Sequence, residues 1–200
     1  MSDAGAVRVV PLTSAVLDDV VRIHRAGLGY TLNSQLGANH MRFLYQTMAA
    51  DSACFVGVAL LEDRPAGVVS GALDAGSFMT RLFKAMPALR LGRIAVRMLL
   101  HPRLIWLWQV GTRIARPVQL DSSEIKAVLT AIAVDPEVQG KGLGKQLVRA
   151  FEGFLRQSGV RAYKLDTQIR NERASVFYNE LGFEEVDRRA DSIIFIRRLD

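Results

Sequence analysis

Cysteine occurs once in these 200 residues and histidine three times, and the two scarcities exclude a good deal. A single Cys54 forms no internal disulfide. Set in the apolar run 53–61, it reads as a buried thiol of a protein kept in a reducing compartment, not as a nucleophile. His24, His40 and His101 are scattered, so no metal-ligand spacing can be read and no metal is expected. No apolar run approaches the roughly 18 to 20 residues that span a bilayer. The amino terminus, Met-Ser-Asp-Ala-Gly, carries neither a basic nor an apolar leader region, so a soluble, cytoplasmic chain is expected. Repeats, low-complexity tracts and linkers are lacking too. With half the residues hydrophobic and 23% charged, the composition is that of one folded domain over residues 1–200.

Acidic residues are absent from one long stretch. Between Asp74 and Asp121 there is none, while Arg81, Lys84, Arg90, Arg93, Arg97, Arg103, Arg113 and Arg116 all fall there. The remaining 18 of the 26 basic residues stand against 20 acidic ones, so this segment alone makes the net charge +6. A basic balance ordinarily raises nucleic acid as a partner. Here the apolar content around the cations suits packing better than a solvated phosphate groove. Pro87 is placed to open a helix that Pro102 closes. Within it Leu91, Ile94, Ala95 and Met98 share one face, and Arg90, Arg93 and Arg97 form a stripe expected to face solvent. Residues 104–108 are apolar all round. The segment is expected to pack as a helical insertion over about 75–120, with homodimer contact or peripheral contact with an anionic membrane through residues 81–116 as further roles.

Elsewhere the pattern alternates strands and helices. A short strand at 7–11 precedes a helix capped by Thr13 or Ser14, running to about Arg25 and ended by Gly27 or Gly29. Met41, Leu44, Tyr45 and Met48 mark a helix over 38–49. Runs 53–61 and 66–74 form a hairpin around the turn residues 62–65. Residues 126–134 are apolar on both faces, with 128, 130, 132 and 134 opposing 129, 131 and 133, as in a central strand.

That strand leads through Asp135-Pro136-Glu137-Val138 into Gln139-Gly140-Lys141-Gly142-Leu143-Gly144, and then into a helix with Leu143, Leu147, Phe151, Phe154 and Leu155 on its buried face. Glycines at alternate positions let the backbone take φ > 0, so that N–H groups converge on one point. The helix start adds its own unpaired N–H groups and the positive end of its dipole. Phosphate suits such a place. A dinucleotide fingerprint would need Gly or Ala where Lys145 stands, and a P-loop would need Ser or Thr where Gln146 stands. Lys145 and Arg149 lie on the solvated side of the helix, close to where a phosphate would sit. Further on come a strand over 161–167 and a short helix containing Asn171, Ala174, Phe177, Tyr178, Gly182 and Phe183, then two more strands.

The pattern Gln-x-x-Gly-x-Gly after Ile132-Ala133-Val134, followed by Asn-x-x-Ala-x-x-Phe-Tyr-x-x-x-Gly-Phe at 171–183, resembles the Gcn5-related N-acetyltransferase (GNAT) superfamily. The likeness covers about 7–74 and 121–199, with the insertion between the third and fourth strands outside it. It implies an α/β fold with a twisted mixed sheet of six or seven strands flanked by four core helices. The implied donor is acetyl-CoA, its pantetheine between splayed fourth and fifth strands. By the same likeness, backbone groups of Ile132, Ala133 and Val134 pair with pantetheine, and loop residues 139–145 hold the diphosphate with help from the Gln139 side chain. Asn171 and Phe177 contact the cofactor, and Tyr178 is the general acid toward the leaving thiolate. Glu124 is the side-chain candidate for the general base, with ordered water as the alternative. The acceptor expected is a small-molecule amine. A silent CoA-binding or membrane-associated module of the same fold is the rival reading.

Overall fold

The computed structural model describes residues 7–113, 118–120 and 123–199. Arg116 of the basic stretch and the amino-terminal residues read for a leader lie outside them. Nine strands and eight α-helices are formed among the described residues. Seven strands make one sheet: β1 (Val7–Pro11), β2 (Cys54–Leu61), β3 (Arg64–Ala72), β6 (Val128–Val134), β7 (Ala162–Gln168), β9 (Ser192–Arg198) and β8 (Glu184–Arg188), side by side in that order. Every pairing is antiparallel except β6 with β7. The other two strands, β4 (Val118–Leu120) and β5 (Ser123–Ile125), form a separate ribbon that the periodicity did not announce.

One face of the sheet carries α1 (Leu17–Leu28) and α3 (Ala38–Ala49), which bury Val20, Ile23, Met41 and Tyr45 against Val56, Val58 and Val68. Between them α2 (Leu32–Gln35) is a single turn. The opposite face carries α7 (Leu143–Gln157), whose Leu143, Leu147, Phe151 and Leu155 recur every fourth residue and bury with Tyr163, Leu165 and Phe195. Helix α8 (Glu172–Glu180) adds Tyr178 to this second core. Gly159 and Gly182, with φ of 72° and 77°, end α7 and α8 in the left-handed conformation that favours glycine.

Several local expectations change. Thr13 makes no side-chain cap, because a 3₁₀ turn over Ser14–Val16 precedes α1. Gly27 lies inside α1, where an added Cβ would stand 3.2 Å from the Cβ of Ala133, so this glycine lets α1 approach β6. The hairpin turn needs only Glu62 and Asp63, both at positive φ, and a register shift near Pro65 absorbs the rest. Strict alternation in β6 also fails. Ser70 pairs with Ala131 and Gly71 with Leu129, which leaves Thr130 in a bulge. Val128 and Ala133 consequently share the first core, while Leu129, Ile132 and Val134 join the second.

The insertion holds three helices: α4 (Ala75–Ala85), α5 (Ala88–Leu100) and α6 (Pro102–Arg113). Asp74 caps α4 by accepting from the Ser77 N–H at 3.0 Å. Pro102 occupies the first position of α6, where its missing N–H costs nothing, so it opens a helix instead of only closing one. The arginine stripe of α5 faces solvent at Arg93 and Arg97, as expected, while Arg90 is partly covered. Arg90 donates to the Asn39 carbonyl at 2.9 Å and lies 4.6 Å over the Phe43 ring, and Arg97 reaches the Leu36 carbonyl.

Candidate active site

Parallel strands β6 and β7 pair at a single position, Val128 with Lys164, and then part. Beyond that point the β7-facing edge of β6 has no bonded strand among the described residues. Its N–H and C=O groups can accept an extended chain as an added strand. The gap opens into a cavity of about 810 Å³ that reaches from the start of α7 to the helices of the insertion. That volume suits a ligand of cofactor size.

At one end stands the glycine loop. It is fixed to the sheet by Asp135, whose N–H donates to the Ala66 carbonyl at 2.8 Å and whose carboxylate takes a 2.7 Å bond from Arg22. The Arg22 guanidinium holds that carboxyl below its ordinary range. Gly140 and Gly142 have φ of 81° and 77°, so two of the three glycines use the left-handed region. Gly144 serves otherwise: an added Cβ would lie 3.1 Å from the Phe177 ring, so its bareness lets α8 close on α7. Gly142 begins α7 without a side-chain cap, and no acidic residue occupies the first turn. The N–H groups there are left for a guest, and an anion is the guest they fit. The Gln139 side chain donates to the Val134 carbonyl at 3.4 Å.

Tyr178 lines the middle of the same cavity. Its ring is wedged among Phe177, Phe183 and Phe195, with centroids 5.3, 5.2 and 5.8 Å away. Burial, and secondarily the neighbouring Tyr30, push its hydroxyl above the ordinary phenol value of 10.0, so it stays protonated throughout the physiological range. Asn171 is bound twice over. Its Oδ1 accepts the Ala174 N–H at 3.2 Å as the α8 cap, and its side chain hydrogen-bonds Tyr30. Every cofactor residue expected from the sequence lines this cavity except Lys141, which is exposed on the loop.

Glu124 is not brought to the site. It sits exposed on β5, paired with Lys126 at 3.1 Å, and is not among the cavity walls, because the ribbon carries it off the edge of the sheet. Asp166 and Glu180 are the carboxylates that do line the cavity. Asp166 stands on β7, the strand that parts from β6, and its charge is one of the influences that raise the Tyr30 pKa, after burial. Its one sequence signal was a carboxylate at an inner position of a short strand.

The far end is mostly apolar, with Leu28, Leu44 and Met48 on one side and Phe78, Leu82 and Leu107 of the insertion on the other. A polar chain runs beneath it. Thr130 donates to the Ser70 carbonyl at 3.0 Å, so the 2.9 Å contact between the two hydroxyls uses the Ser70 proton. The Tyr45 hydroxyl lies beside this pair and 2.6 Å from His24 Nδ1, in a hydrogen bond whose direction follows the imidazole tautomer. His24 Nε2 is buried and has no hydrogen-bond partner among the described residues. Burial brings the His24 pKa down to about 4, so the ring is neutral at physiological pH. The sequence reading had taken His24 only as a scattered histidine and Tyr45 as helix core.

A central strand pair parting over an uncapped helix start, with a protonated phenol in the gap, defines the acyltransferase class of α/β architecture. The model of the acetyltransferase (GNAT) family matches residues 30–183, and the chain belongs to that family. Among curated relatives, [ribosomal protein bS18]-alanine N-acetyltransferase of Escherichia coli strain K12 is 35% identical over 79 residues, which is 34% of this chain and 53% of that protein. The chain thus spans about half the length of the curated relatives it matches first. Among solved structures, a PaiA N-acetyltransferase from Thermoplasma acidophilum in complex with coenzyme A superposes with a TM-score of 0.64 at 12% identity, covering 97% of this chain and 99% of that one. YncA of Salmonella typhimurium, a putative acetyltransferase with acetyl-CoA, gives 0.62 at 14% identity, covering 98% and 95%. At such identities the likeness is one of fold: a seven-strand mixed sheet flanked by helices.

Proposed function

We propose that this chain transfers an acetyl group from acetyl-CoA to the amine of a small molecule. The observation that carries the proposal is the convergence, in one cavity, of an uncapped α7 start, an unpaired β6 edge and a buried, protonated Tyr178. Acetyl-CoA supplies an activated thioester. The loop and first-turn N–H groups at 140–145 hold its diphosphate, and the free edge of β6 beyond the Thr130 bulge pairs with its pantetheine arm. Asp166 takes the proton that makes the acceptor amine a nucleophile. The amine nitrogen then bonds the acetyl carbon as the carbon–sulfur bond breaks, Tyr178 gives its proton to the departing sulfur, and the proton released by the acylated nitrogen restores the phenol through solvent.

The insertion supports a small acceptor. Phe78, Leu82 and Leu107 close the side of the cavity opposite Leu28 and Met48, which leaves room for a compact amine with an apolar body. The test is release of CoA thiol from acetyl-CoA across a panel of alkyl and aryl amines, amino sugars and peptides, beside calorimetric titration of CoA. Saturable release with an apolar amine is expected. CoA binding without release for any amine would replace the proposal with that of a silent CoA-binding module, and release with peptides alone would move the acceptor to protein.

A further inference from the structure

Helix α5 turns Ile94 and Met98 inward, both half-buried, and Ile94 packs at the edge of the first core. On the flank of the helix Arg90 and the exposed Arg97 bond the carbonyls of Asn39 and Leu36. The opposite arc carries Leu89, Val96, Leu99 and Leu100, which are 69%, 57%, 78% and 68% exposed. No residue of α5 is buried. These four side chains recur at helical spacing around Gly92, beside which a Cβ would meet nothing within 4 Å, and three of them, Leu89, Val96 and Leu100, line a shallow apolar groove bordered by Arg93 and Arg97. Four large aliphatic side chains on one exposed arc are unlike the singly scattered apolar residues of an ordinary surface.

We infer that this face docks on an anionic lipid bilayer. Charge selects that occupant. No acid falls between Asp74 and Asp121, and the exposed Arg93 and Arg97 border the groove, so a second copy docked through the same groove would set like charges against each other. A bilayer bearing acidic headgroups meets both requirements at once, because the aliphatic arc enters the acyl boundary while Arg93 and Arg97 at its border meet phosphate. Trp106, on the helix packed against α5, is 46% exposed, and its amphipathic ring suits the headgroup level. The insertion that would touch lipid also walls the cavity through Phe78 and Leu82 of α4 and Leu107 of α6.

The intact chain is sedimented with sucrose-loaded vesicles of phosphatidylcholine alone and of phosphatidylcholine with about 30 mol % phosphatidylglycerol. A partition coefficient at least tenfold higher on the anionic vesicles is expected, and it should fall severalfold in about 0.5 M salt, where surface charge is screened. Leu99→Asp with Leu100→Asp should abolish sedimentation while leaving the melting temperature and CoA binding unchanged, since both side chains already lie in solvent. Arg93→Glu should weaken it severalfold. The inference is overturned if wild-type chain stays in the supernatant with anionic vesicles at low salt. It is also overturned if the chain is a dimer by sedimentation velocity and the double aspartate variant makes it monomeric, which would assign the groove to a second copy.

Discussion

His24 and Asp166 line the same cavity, and pH acts on the first through stability and on the second, as the proposed base, through rate. His24 is buried with a pKa of about 4 against an ordinary 6.5, lowered by desolvation. Its folded-state value is depressed, so the unfolded chain binds its proton first, and the folded state loses stability as pH falls from 6.5 toward 4. The loss amounts to about 2 kcal/mol between pH 7 and pH 5. His40, brought to about 4 by burial and then by Arg90, adds to the same trend. Urea unfolding of His24→Gln should therefore show a visibly flatter dependence between pH 7 and 5 than wild type, whatever its absolute stability. Asp166 acts on rate instead. As the base it must be ionised, so kcat/KM should rise with pH up to a plateau. Asp166→Asn should lower the plateau by about 10²- to 10⁴-fold and remove the acid limb, with CoA affinity unchanged. Tyr178→Phe should lower kcat by a similar factor. Because burial raises the Tyr178 pKa above 10.0, the wild-type profile should show no alkaline fall below pH 10. Neither His24 nor Asp166 was legible beforehand. A lone histidine on a helix and a lone carboxylate on a strand gain meaning only when distant elements bring them to one cavity.

Elements governed by their own neighbours in sequence were readable. Helix α3 spans the expected 38–49, α7 carries the expected four-residue stripe, and the loop with its left-handed glycines follows the expected strand. What escaped depends on contacts across the chain. The Thr130 bulge lies in the pairing of β6 with β3, and α4 starts on the Asp74–Ser77 cap inside a segment whose helical character was expected but whose helix boundaries were not. Period placed Ile94 and Met98 on the inward side of α5, where they lie half-buried, but gave no sign that Leu89, Val96, Leu99 and Leu100 would be left uncovered. The bulge can be probed through Gly71, where β3, β6 and α7 crowd together. A Cβ there would stand 2.4 Å from the Phe151 ring and 2.5 Å from the Val128 carbonyl, so only glycine fits without movement. Gly71→Ala should cost about 1 to 3 kcal/mol of unfolding free energy by urea titration. It should also weaken CoA binding, since Val128 is the last point at which β6 and β7 are joined.

Two cores lie on opposite faces of a sheet whose central strands are joined at one position, so something besides the ladder must keep the β7–β9–β8 half in place. A buried ionic cluster does this. Glu152 of α7 accepts from the Tyr163 hydroxyl of β7 at 3.0 Å and pairs with Arg197 of β9 at 2.6 Å and with Arg156 one helical turn on at 3.7 Å. Helix α7 also packs across β1, β2, β3 and β6 on the other side of the gap, so it straps the two halves together, and Glu152 is the buckle. Removing Arg197 leaves the buried Glu152 carboxylate to Tyr163 and the more distant Arg156, and Arg197→Met should lower stability by up to about 3 kcal/mol. A ligand that bridges β6 and β7 should restore part of this loss by mass action, about 2.7 kcal/mol at a hundredfold excess over its Kd. Melting the Arg197→Met variant with and without CoA tests the arrangement, and CoA should raise its Tm by at least as many degrees as it raises that of wild type. A variant that melts lower and gains nothing from CoA would mean that the strap, and not the ladder at Val128, is what holds the cavity open for the ligand.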